Sequence, residues 1–205
     1  MNESLCSILC GEDEWCFDSE GRSLKFNSDG TGELWCHTHF HYWIAVDLHW
    51  KSVEQAVTSA TTTTTTRSTK SPQILGQLNL EITLLNQVPQ VAQTFVPIPP
   101  VLNALTDTAF QPKLYRIRIE KGNFTEPCFA GSESPLRPRY ALRLLFDRSP
   151  YPPREEWREP GGGPDSGQFW GHTEFVARDA PELEELGRAM NDPALLGVWD
   201  SCTVS

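Results

Sequence analysis

The residues best suited to chemistry are His37, His39 and His41, spaced HxHxH in the segment GELWCHTHFHYWIAVDLHWK. In an extended strand, alternate side chains project from one face about 6.5–7 Å apart. Imidazoles at that spacing can converge on one tetrahedral ion, the arrangement zinc sites use. A metal-dependent enzyme built on this cluster is one expectation. The same three residues also suit the solvent face of a half-buried strand. The chain carries no HExxH and no CxxC that would complete a ligand set. Other catalytic signatures are equally thin. There is no GxSxG, no P-loop and no GxGxxG. Cys36 and His37 are neighbours in a strand and point to opposite faces, so they cannot act as a nucleophile pair. Six cysteines at irregular intervals read as free thiols rather than a disulfide framework. No cofactor is nominated.

The histidines are carried by a long alternating stretch. Leu34, Cys36, Thr38, Phe40, Tyr42, Ile44, Val46, Leu48 and Trp50 share one parity; Trp35, His37, His39, His41, Trp43, Ala45, Asp47 and His49 share the other. The first set predicts a buried face and the second a solvent face. The dipeptide Asp29-Gly30 predicts the hairpin turn that precedes it. A run of about 18 residues exceeds ordinary strand length, which predicts a bend, bulge or turn near His39–Tyr42.

Further strands are predicted at Trp15–Phe17, Leu24–Phe26, Leu78–Leu84, Tyr115–Ile119, Tyr140–Phe146 and across QFWGHTEFVAR. Asp179, followed by Pro181 and Glu182, predicts a helix over 181–190. Residues 54–73 hold six consecutive threonines and no apolar period, so a disordered loop is expected there. Residues 86–112, rich in proline, read as an irregular connection. The fold class is mainly β: one antiparallel domain over 1–205, a barrel or sandwich of seven or eight strands with a short C-terminal helix.

Charge and hydropathy narrow the partners. The formal net charge of −10 repels nucleic acid and anionic membranes, and the basic residues are scattered. No apolar run is long enough to span a bilayer. The N-terminal segment lacks a basic stretch followed by an apolar run of signal-peptide length, so the expected location is cytoplasmic or nuclear. Seven tryptophans and ten phenylalanines supply large apolar surfaces.

Trp15 followed by Leu24-Lys25-Phe26-Asn27-Ser28-Asp29-Gly30-Thr31-Gly32 resembles the opening of lipocalin-like (calycin) barrels, where an early Trp precedes an F-x-x-D-G-T-G hairpin. The segments WIAVDLHWK, LTDTAFQPKLYRIRIEKGNF and YALRLLFDRSPYPPREEW are similar to a family of fungal proteins that brings no activity with it. The first resemblance implies a non-enzymatic intracellular binding protein whose barrel takes a small apolar ligand or a protein partner. Trp15, Phe26, Tyr42, Trp50 and Phe146 are the expected ligand-binding residues. A metal-dependent enzyme and a structural interaction module are the alternatives.

Overall fold

The computed structural model describes residues 2–38, 41–53, 72–95, 105–131 and 137–180. Eight antiparallel strands follow one another around a closed barrel. They are β1 (Trp15–Asp18), β2 (Arg22–Phe26), β3 (Thr31–Thr38), β4 (His41–Ser52), β5 (Gln73–Leu84), β6 (Lys113–Phe124), β7 (Tyr140–Phe146) and β8 (Glu174–Asp179). Each pairs with the next, and the ring closes through Cys16↔Val176 between β1 and β8. Closure of the ring settles the barrel-or-sandwich alternative and leaves no long sheet edge.

The alternation in the sequence becomes the inside and outside of this ring. Leu34, Cys36, Ile44, Val46 and Leu48 are buried, whereas Glu33, Trp35, His37 and Asp47 are half-buried and His49 is exposed. The long ribbon is a hairpin, not one strand: β3 ends at Thr38 and β4 starts at His41. Its ladder runs Leu34↔Val46 and Cys36↔Ile44, then shifts to His37↔Tyr42 and Thr38↔His41. Trp43 is thus the extra residue of a β-bulge. Directly opposed residues share a face. Without the extra residue, even positions of β3 would oppose odd positions of β4. The bulge keeps both aliphatic sets inward.

Both mouths of the barrel are covered. Helix α1 (Asn2–Cys10) sends Leu5 and Leu9, one turn apart, into the core. Its chain continues into β1, where Trp15 Nε1 donates to the Leu9 carbonyl at 3.0 Å. Leu5 packs over Gly76 of β5, where a Cβ would stand 2.5 Å from Leu5 Cδ1. β1 and β5 are half a turn apart around the ring, so the helix lies across the mouth. At the other mouth the strap 147–173 leaves β7 and returns as β8. Its Tyr151 reaches Trp35 on β3, and its Gly163 packs under the Trp43 ring of β4. This strap contains 3₁₀ turns at Arg154–Glu156 and Phe169–Gly171 and the short helix α3 (Gly163–Gly167). A second segment, 105–110, joins it through Leu105↔Trp157.

Several expectations are adjusted. The last strand begins at Glu174, because Phe169-Trp170-Gly171 forms a 3₁₀ turn. The 86–112 connection contains a helical segment, α2 (Gln90–Phe95), and a 3₁₀ turn at Asp107–Phe110. The threonine-rich stretch, apart from Pro72 and Gln73 of the 54–73 range, and the helix expected over 181–190 lie outside the described residues. Among the described residues, no helix is long and apolar enough to cross a membrane.

Candidate functional site

The three histidines do not lie along one strand. His37 is on β3, His41 opens β4, and the side chains of His39 and His41 lie outside the described residues. Two paired strands replace the single-face ribbon that the HxHxH spacing requires. His37 packs over Gly21, where a Cβ would overlap its ring, and its backbone N–H donates to the Gly21 carbonyl at 3.2 Å. It also meets Trp35 edge-on at 6.4 Å. Among the described residues, no group of three or more His, Cys, Asp or Glu is placed to hold a metal ion.

The aromatic residues expected to line a ligand chamber are mostly core. Trp15 and Phe26 are fully buried and Phe146 nearly so, within one contiguous cluster. Phe26 meets Trp50 edge-to-face at 5.5 Å, and Phe146 meets Phe175 at 5.8 Å. Trp50 is half-buried, and its Nε1 donates to the Asn27 and Thr31 carbonyls at 3.1 and 3.0 Å. That bond ties β4 to the Asp29-Gly30 turn. The Tyr42 side chain lies outside the described residues.

A cleft of about 600 Å³ opens instead on the outer face of β3 and β4. The cross-strand pairs Glu33↔Asp47 and Thr31↔His49 form its floor. Its far wall is the segment after β5, which continues to pair with β4: Leu85 N–H donates to the Asp47 carbonyl at 2.8 Å, and Asp47 N–H to the Gln87 carbonyl at 3.0 Å. Gln87, Val88 and Gln90 complete that wall, and Asn27 stands at the turn end. Trp35 Nε1 donates to Glu33 Oε2 at 2.7 Å, fixing that carboxylate. Asn27 Nδ2 donates to Thr31 Oγ1 at 2.9 Å. Burial raises the Asp47 carboxyl above the ordinary range, the Glu33 charge adds to this, and His49 opposes it. No lysine or arginine is among its described lining residues. The cleft therefore presents acceptors, two of them like-charged and directly opposed, beside amides and an imidazole.

Asp47 and His49 were visible in the sequence as the solvent parity of the ribbon. The wall at 85–90 carries no such signal, and only the fold brings it there. Among the described residues, burial disfavours the thiolate form of the cysteines. Burial raises the thiols of Cys10 to about 11 and Cys16 to about 12, and it raises Cys6 and Cys36 as well. The chain matches no protein-family model, no curated protein and no solved structure.

Proposed function

We propose that this protein is a binding protein of lipocalin-like architecture that holds its ligand in the outer cleft on β3 and β4, the barrel interior serving as structural core. The observation that carries this reading is the directly opposed pair Glu33 and Asp47 at the floor of a small-molecule-sized concavity. Ligand pockets typically measure about 300–1,000 Å³. Walls of carboxylate, amide and imidazole groups, with no cationic side chain described among them, fit a small polar molecule that offers hydrogen-bond donors and carries no negative charge. Hydroxyl groups or an ammonium group meet that description. A donor placed between Glu33 and Asp47 would relieve their mutual repulsion.

Titration of intrinsic tryptophan fluorescence tests this, because Trp35 bonds directly to Glu33 and Trp50 to the Asn27 and Thr31 carbonyls. One arm uses neutral polyols and sugars, a second uses small amines, and a third uses apolar probes. Saturable responses to either polar arm, lost in Glu33→Gln and Asp47→Asn, are expected. A saturable response to apolar probes alone, unchanged in both variants, would move the ligand to the interior and overturn the proposal.

A further inference from the structure

The strap 147–173 carries a half-buried imidazole, that of His172, against its mouth of the barrel. His172 stacks on Phe17 of β1 with ring centroids 3.7 Å apart and planes at 12°. The edges of Tyr151 and Phe169 close on it at 5.9 and 5.8 Å. The ring bonds to the Gly167 backbone, and its Nδ1 is buried without a partner. The charged groups facing it come from the β1–β2 hairpin: Asp18, which is buried, and Arg22. These two are already engaged in an ion pair with each other, and the Arg22 guanidinium also lies over the Phe17 ring at 5.1 Å. Cys36 and Glu14 stand near Tyr151, whose phenol is fully buried and pushed well above its ordinary range by that burial.

This packing favours the neutral ring over the imidazolium, because the buried Nδ1 has no acceptor. A second ring proton would sit on Nδ1, where no acceptor stands, among three aromatic rings and beside a guanidinium. We propose that the strap is an acid-released gate, with His172 as its trigger: protonation of this ring is compatible only with the strap lifted from the mouth. Lifting it uncovers Phe175 and Cys36, which lie beneath Tyr151.

The direction of the titration agrees with the geometry. Burial lowers His172 from 6.5 to about 4, with Arg22 adding to the shift and Asp18 opposing it. A histidine whose closed-state value is depressed keeps its full contribution to closure above its free value and loses it as pH falls through that value. The window therefore runs from about 6.5 down to about 4. Within it, each pH unit should raise the open fraction roughly tenfold, one proton entering per opening.

The test follows Cys36, which is fully covered in the closed state. The full chain is treated with a pyridyl disulfide, a reagent that still reacts in acid, and each thiol is read by peptide mass spectrometry. Cys128, which is exposed, is the internal reference. The expected result is that Cys36 modification, relative to Cys128, accelerates about tenfold per pH unit below about 6.5 while far-UV circular dichroism holds. Thiolate content and reagent activation change alike at both sites, so a rise in the ratio reports uncovering of Cys36. In His172→Gln the ratio should be flat with pH. A flat ratio in the unaltered protein, an equal slope in His172→Gln, or loss of the dichroism together with the uncovering would overturn the gate. An NMR titration of the His172 ring in the unaltered protein supplies a readout that does not depend on the variant folding; a value near 6.5 would also overturn it.

Discussion

The phenol of Tyr151 donates to the backbone carbonyl of Trp35 at 2.6 Å, joining residues 116 positions apart. This bond ties the start of the strap to the strand that carries the cleft. Tyr151→Phe keeps the ring contacts with Phe169 and Phe175 but leaves that carbonyl without its phenolic donor. A loss of about 1–3 kcal/mol is expected in urea denaturation, with an unchanged m-value. A neutral outcome would mean that water reaches the carbonyl.

The helix at the opposite mouth is held by shape. Adding a methyl group at Gly76 forces Leu5 to move, because the new Cβ would meet Leu5 Cδ1 and Cδ2 at 2.5 and 2.9 Å. Gly76→Ala should cost about 1–3 kcal/mol. Leu5→Ala should cost about 2–5 kcal/mol by opening a cavity. In the double variant the methyl fills part of that cavity, so the two losses should be markedly less than additive. Thermal denaturation of the four proteins in the cycle measures the coupling.

In the cleft, the sign of the charge effect is fixed by the raised Asp47 carboxyl. A carboxyl raised in the folded state adds stability only while protonated, and that contribution disappears as pH rises through its folded value. Asp47→Asn should therefore be slightly more stable than the unaltered protein at neutral pH, by about 0.2–1 kcal/mol, the range for opposed like charges on a sheet. The difference should vanish in acid, below the ordinary carboxylate range. Chemical denaturation at pH 7 and pH 3 separates the two regimes.

Arg143 is the outer-face counterpart of these pairs. It donates through Nε and Nη2 to Glu120, which is buried, and through Nη1 to Glu174, at 3.0, 2.6 and 3.0 Å. Its own value is raised despite burial because both carboxylates bind it. Arg143→Met leaves Glu120 with Arg118 alone, in an ion pair at 2.8 Å. A loss of about 3–5 kcal/mol is expected, since the remaining buried charge is under-compensated. A Glu120→Gln change in the same background should recover part of it.

Much of the barrel was legible from residue alternation. The parity of Leu34 to Trp50, the Asp29-Gly30 turn and the strands at Leu78–Leu84, Tyr115–Ile119 and Tyr140–Phe146 all follow from period-two burial. The interruption expected near His39–Tyr42 is present, with β3 ending at Thr38, β4 starting at His41 and a bulge at Trp43, and the bulge explains why one parity describes both arms. The two closures were not legible. Leu5, Ile8 and Leu9 are the aliphatic positions on a nine-residue helix, too short a pattern to show what it covers, and the strap carries no sustained period. Its Tyr151, Trp157 and Phe169 are buried by tertiary contact, in a segment interrupted by prolines. The cleft was half legible for the same reason. One wall is a patterned strand and the other is an irregular segment.

Circular continuity in this molecule depends on Cys16↔Val176, the narrowest join in the ring. Neighbouring seams are stitched by several pairs each; this one is a latch. Its reinforcement comes from flanking groups: the Glu12–Arg178 ion pair outside and the Leu9–Trp15 bond at the mouth. Amides of β1 should therefore trade protons for deuterons sooner than those of β5 and β6, and the sheet should unroll from that line.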